Sequence, residues 1–397
     1  MTQNDESRTE NSGLTRRKLL RTTGGIGAAT AIGGSAVPAL AQDDGGGTGT
    51  GNLYTTCWEA NVVVVTKADA KLPKSVKDTT HIKVGKAPLY ISGGVGGQSF
   101  FVTNAESGDV SVINPEKKEE TERIPVGQQP RGVGVSADRQ YAFVANRGEN
   151  TVAVIDTQKL AVQTTIDVGE NPHDVVFSPD GTQAYVTNHG SDTVGVIDVE
   201  RLKMTSTIKV ADGPRTIALN AERNRLYTTN TVSNDLGVVD TEQGKLLGTR
   251  PLTDGPADVA LTPDGSKAYA TGMRAGTVVV YEAASGNDGG GSGPSYELSN
   301  IITVNDSLKE IPVESHEAYT AGPYGITVGP NGKLAYAAFL GNNQVVTIDT
   351  ETDEVVDRMS TPAPYAFAIR HDAEARETTT TNATTAKTTG ETTTRSG

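Results

Sequence analysis

A single cysteine, Cys57, stands in 397 residues, so no disulfide can brace this chain from within. Aromatic residues supply only 5% and apolar residues 35%, which is thin provision for helices that must each bury a broad stripe. Short strands joined by tight turns suit that composition better, and 45 glycines supply the turns. Basic groups are in deficit as well. The 35 Lys and Arg face 48 Asp and Glu, a net charge of -13, which argues against a surface built to neutralise phosphates and so against a nucleic-acid partner. Long apolar runs are missing except for Gly24 to Ala41, a Gly/Ala-rich stretch whose transfer into hydrocarbon is only marginally favourable. No nucleophile elbow, His-Glu-x-x-His, P-loop or Cys-x-x-Cys-His occurs, so no cofactor is expected and no catalytic residue is marked by a motif.

What precedes the weak apolar stretch gives it a meaning. Thr15-Arg16-Arg17-Lys18-Leu19-Leu20 leads into it and Ala39-Leu40-Ala41 closes it, a small-x-small triplet open to a signal peptidase. Residues 1–41 therefore resemble a twin-arginine export signal, the kind that carries folded proteins. Residues 42–52 read as a Gly-rich linker. Residues 373–397 form a tail with 11 threonines in its last 20 positions, a composition that cannot bury a core. Asn305-Asp306-Ser307 and Asn382-Ala383-Thr384 are glycosylation sequons. The expected location is outside the cytoplasmic membrane, whether secreted, periplasmic or at the cell surface, with no stable membrane span once the signal is cut.

Between linker and tail the sequence repeats. Pro88, Pro130, Pro172, Pro214 and Pro256 stand 42 residues apart without a slip. Sixteen residues after each proline an aromatic-led run ends at Asn104, Asn146, Asn188, Asn230 and Gly272. Ten further on, Val-x-Val-Ile-type runs end at Asn114, Asp156, Asp198, Asp240 and Glu282. Within residues 172–213 the expected strands are Asp174 to Phe177, Ala184 to Thr187, Thr193 to Ile197 and Thr205 to Val210, because alternating Val, Ile and Tyr suit pleated strands between Pro/Gly turns. Four strands per period make a propeller blade. Pro323 and Phe339 keep the same spacing after an insertion within about 285–322, and Pro364 heads one last inner strand. Tyr54 to Cys57, Asn61 to Thr66 and Thr79 to Val84 supply the three strands that it lacks. The expectation is an all-β, seven-bladed β-propeller over 53–372, four antiparallel strands per blade, with the first blade closed by the C-terminal strand. Such closure leaves no open sheet edge at the seam.

The run Pro-x-x-Val-x-x-Ser-Pro-Asp-Gly, Tyr-Val-Thr-Asn, Val-x-Val-Ile-Asp from Pro172 to Asp198 resembles the YVTN β-propeller family. That resemblance implies the fold and leaves function open, since its relatives include surface-layer-like proteins, periplasmic propellers, a haem-carrying propeller and lactonase-like propellers.

Propellers bind ligands at one mouth of the central channel, where two sets of repeat positions converge. The residue after each blade's proline is Leu89, Arg131, His173, Arg215, Ala257, Tyr324 or Tyr365. The residue after the second strand is Trp58, Ala105, Arg147, His189, Thr231, Met273 or Leu340. Arg131 and Arg215 suit forked hydrogen bonds to a carboxylate or phosphate, and Tyr324 and Tyr365 offer flat walls with a hydroxyl each. The competing reading pairs each arginine with an acid such as Asp174 or Asp212. Candidate ligand-binding residues are therefore Arg131, His173, Arg215, Tyr324, Tyr365, Arg147, His189 and Trp58, joined by His316 from a lid-like segment, Asn305 to Gly322. His173, His189 and His316 match no known metal spacing, and no metal is assigned. Cys57 is read as a half-buried structural thiol, and the recurring Asp156, Asp198 and Asp240 as caps of the third strand.

The leading expectation is an exported binding module that takes a small anionic ligand or a protein partner at the mouth. The alternatives are an extracytoplasmic enzyme there, a lactone hydrolase or metal-dependent oxidoreductase, with His173, His189, His316 and Glu317 as working groups, and a structural surface-layer-like component.

Overall fold

The computed structural model describes residues 51–371, apart from 69–70, 75–76, 78, 94–98, 284–295 and 304–321. The export signal, the tail, both sequons, Ser285 to Pro294, His316 and Glu317 lie outside the described residues.

Seven four-stranded antiparallel sheets surround one axis. Blade 2 spans Pro88–Pro125, blade 3 Pro130–Asp167, blade 4 Pro172–Lys209, blade 5 Pro214–Pro251, blade 6 Pro256–Thr303 and blade 7 Pro323–Ser360. Blade 1 joins the two ends of the chain. Its innermost strand, Pro364–His371, pairs with Gly51–Cys57, setting Leu53 opposite Ile369 and Tyr54 opposite Ala368. Val62–Lys67 and Thr80–Lys83 complete it. The pairing begins at Gly51, so the first strand reaches two residues into the stretch read as linker. The first strand of each blade is innermost and packs on its counterparts in both neighbouring blades.

A blade squeezed between two others must be apolar on both faces, and the middle strands are: Thr193–Asp198 is buried through Val194, Gly195, Val196 and Ile197. Val176, Tyr185 and Val194 of blade 4 pack with Ile217, Leu219 and Leu226 of blade 5 in one such interface. Outermost strands alternate instead between exposed and half-buried, as in Ala161–Asp167. Asp156, Asp198 and Asp240 do cap the turn after the third strand, each accepting from backbone amides two or three residues on.

The threonine of the Tyr-Val-Thr-Asn run binds blade to blade. Each innermost strand shifts register just after its proline, as between Pro172 and Val175, and frees an amide there. Thr187 Oγ1 accepts from the Asp174 amide at 3.0 Å and donates to the Arg215 carbonyl of blade 5 at 2.7 Å. Thr56, Thr229 and Thr271 make the same double contact, to Leu89, Ala257 and Tyr324. Blades 3 and 7 carry Ala145 and Ala338 in that place, and there the innermost strand has Gly132 or Gly325 two residues after its proline. A Cβ at Gly132 would collide with Asp174, and one at Gly325 with the Tyr365 carbonyl. Direct backbone approach replaces the hydroxyl bridge in these two blades.

Candidate functional site

The mouth is shaped by a left-handed residue that precedes the proline in six of the seven blades. Immediately before the proline, Ala87, Gln129, Asn171, Gly213, Gly255 and Ala363 hold positive φ, from 41° at Ala363 to 68° at Gly213 and Gly255. Left-handed backbone costs a non-glycine residue on the order of 1 kcal/mol, so neighbouring groups must enforce it. Those groups recur. Asn61, Asn150, Asp192, Asn234 and Asn343 each accept, through Oδ1, the amide of that residue in the following blade, at 2.7–3.0 Å. The carbonyl of the strained residue then accepts from the amide after the second strand: Ala105, Arg147, His189, Thr231, Met273 and Trp58 are tied down this way. The two sets of mouth positions are thereby fixed side by side.

Arg131 and Arg215 are each 7% exposed and His173 is 4% exposed, so their charges and ring lie inside the protein and not on a solvated rim. Arg147, His189 and Trp58 are half-buried at the outer level, and Tyr324 and Tyr365 are buried. Arg215 Nη2 donates to Tyr365 Oη at 2.9 Å, and the Arg215 guanidinium lies 5.4 Å from the centre of the Tyr324 ring. Tyr365 and Tyr324 are themselves 5.3 Å apart, centre to centre. Tyr90, one residue beyond Leu89, stacks edge-on to His173 at 5.7 Å and to Tyr365 at 5.6 Å, so a blade 2 ring meets side chains of blades 4 and 1.

Asp174 also has work apart from any arginine. Asp174 is fully buried, and its carboxylate accepts from the Val175 amide and, across the blade boundary, from the Ile217 amide. Asp258 repeats this with Val259 and Ile326. Both acids serve as laces between blades, 4 to 5 and 6 to 7. Burial, with Asp258 nearby, lifts Asp174 well above the ordinary carboxylate range, and burial lifts Asp258 to about 7.

His173 is pushed the other way. Burial, then the guanidiniums of Arg215 and Arg131, and then His189 and Arg147, hold its pKa well below the ordinary imidazole value. Its imidazole is neutral at pH 7, and Nδ1 has no hydrogen-bond partner among the described residues. A neutral imidazole within the field of two buried guanidiniums combines a proton acceptor with fixed positive charge, the chemistry needed to move a proton beside a developing anion.

Arg131, His173, Arg215, Tyr324 and Tyr365 are brought together, with Arg147 and His189 close enough to act on His173 and Trp58 packed on the same apolar cluster. Cys57, read as half-buried, is fully buried, and its thiol pKa is raised by desolvation. Among the described residues no group of three His, Cys, Asp or Glu could hold a metal ion. Nor does any helix there have the length and apolarity to cross a membrane. Tyr90 and Asp258, and the part Asp174 plays between blades, were not legible in the sequence: all three stand two residues after the proline, where the other blades carry Gly, Thr or Ala.

The family model described as Lactonase, 7-bladed beta-propeller, matches residues 53–289. Comparison with curated proteins gives no match. Among solved structures, the periplasmic gluconolactonase PpgL of Pseudomonas aeruginosa is 18% identical with a TM-score of 0.64, covering 81% of this chain and 99% of its own. A Bacteroides fragilis protein assigned provisionally as a 6-phosphogluconolactonase is 15% identical with a TM-score of 0.65, over 82% of this chain and 99% of that one. Hydrazine synthase of Kuenenia stuttgartiensis is 21% identical with a TM-score of 0.60, over 72% and 96%. At these identities the solved structures speak for the fold alone.

Proposed function

This chain belongs to the lactonase family of seven-bladed β-propellers, and from that membership we propose that it binds a small lactone bearing an anionic group at the channel mouth and opens the ring by hydrolysis. The observation that carries the reading is His173, buried and held neutral by that burial and by the charges of Arg215 and Arg131. In this scheme His173 takes a proton from water as the water oxygen attacks the acyl carbon. Arg131 and Arg215 stabilise the negative charge that gathers on the acyl oxygen. The ring C–O bond then breaks and the imidazolium returns the proton to the departing alkoxide, giving a hydroxy acid. Arg147 and His189, nearer solvent, hold the substrate's own anionic group.

The names of two structural neighbours, a gluconolactonase and a provisional 6-phosphogluconolactonase, accord with a lactone as substrate, and the second with one that carries an anionic group. Export directed by residues 1–41 is part of the proposal, supported by Arg16-Arg17 and the closing Ala-Leu-Ala. The test is acid release from a panel of lactones in a pH-stat. Turnover that falls on Arg131→Ala supports the reading. A protein that binds anionic acids through Arg131 yet hydrolyses no lactone would be a binding module instead.

A further inference from the structure

The cationic groups of the mouth are confined to one arc. Arg131 and Arg147 belong to blade 3, His173 and His189 to blade 4, and Arg215 to blade 5, and all act on the His173 environment. The next four blades around the ring, 6, 7, 1 and 2, put no charged group at either mouth position. They present Met273, Tyr324, Leu340, Tyr365, Trp58 and Leu89, which pack in a single apolar cluster. Arg215, against Tyr324 and bonded to Tyr365, marks one seam between the two arcs.

We propose that the ligand of this mouth is bipolar, a carboxylate or similar anion carried on a flat apolar body, such as an aryl- or alkyl-substituted lactone acid, and not a polyhydroxylated sugar acid. The inference rests on the lactonase reading and narrows its substrate class. A molecule large enough to meet Arg131 and Trp58 together spans both arcs. On the apolar arc a sugar's hydroxyls would lose water without gaining partners, whereas a ring or alkyl chain gains from leaving water. Charge complementarity places the anion over blades 3 to 5, where the charges of Arg131, Arg147 and Arg215 gather near His173. The Tyr365 hydroxyl on the seam is already engaged by Arg215.

Equilibrium binding of two monocarboxylates of equal charge, 3-phenylpropanoate and gluconate, separates the possibilities. The full chain should bind phenylpropanoate at least about tenfold more tightly, the discrimination that an apolar pocket gives a modest apolar group. Trp58→Ala should erode that preference while leaving gluconate affinity in place, and Arg131→Ala should weaken both. Equal affinity, preference for gluconate, or no binding of either acid overturns the inference, and the wild-type comparison decides even where Trp58→Ala folds poorly. The underlying reading fails differently: a strong preference for the aromatic acid with no hydrolysis of any lactone removes the reaction and leaves the bipolar site. Hydrolysis of glucono-δ-lactone without that preference does the reverse.

Discussion

Arg215 of blade 5 donates from Nη2 to the phenolic oxygen of Tyr365 in blade 1, 2.9 Å away, although blades 6 and 7 separate them around the ring. The bond crosses the axis and joins the strand that closes the propeller to the opposite side of the mouth. Tyr365 comes from the far end of the chain, 150 residues from Arg215, so the site is complete only when the ring is closed.

Tyr365→Phe removes that acceptor and little else. Hydrogen bonds to charged groups contribute about 1.5–3 kcal/mol, so the variant should unfold at lower urea concentration by that margin with its m-value unchanged. An unchanged midpoint would mean that the bond is exchanged for water at no cost.

The buried acid Asp258 sets a pH signature. Burial raises its folded pKa from the ordinary 3.8 to about 7, so the folded state holds the proton more tightly across that window. Its contribution is therefore fully present below about pH 4 and lost as pH rises towards 7. His173 acts oppositely: its folded pKa is lowered, so its contribution is present above the unfolded value of 6.5 and lost as pH falls below it. Wild type measured against Asp258→Asn isolates the acid. The stability difference between them should move against the wild type by a few kcal/mol, at most about 4, as pH rises from 4 to 7. A difference that does not vary with pH would contradict the burial of an ionisable acid at this position.

Gly132 is the place where blades 3 and 4 meet backbone to backbone. Gly132→Ala puts a methyl group into Asp174 and towards the His173 carbonyl, an overpacking that costs about 1–3 kcal/mol. Thermal unfolding should register the loss, and lactone turnover should fall further than at an equivalent substitution in a remote turn, because His173 is displaced with its strand. Full stability in the alanine variant would contradict the close approach.

The ring was legible because its cause is repetitive. A proline every 42 residues from Pro88 to Pro256, and an Asn or Asp ending the second and third strands of blades 2 to 5, are imposed by the same turns, so periodicity exposes them. Arg131, His173 and Arg215 could be placed together by register alone, as could Tyr324 and Tyr365. Their depth could not. Burial depends on how far Tyr90 reaches across the channel, and nothing in its own strand indicates a contact with His173 two blades away. The fate of Asp174 was also hidden. Two of its partners are the backbone amides of Val175 and Ile217, which carry no sequence signature. The left-handed residue before the proline escaped for a similar reason, since Ala, Gln, Asn and Gly all serve there under the same constraint.

The most direct measurement is kcat/KM for lactone hydrolysis by wild type and His173→Gln, with melting temperature followed in parallel. A side chain that moves the proton contributes about 10²–10⁴-fold, so the variant should lose that much while remaining folded. Wild-type kcat/KM retained by the glutamine variant, or no turnover of any lactone by the wild type, would contradict catalysis by the buried imidazole.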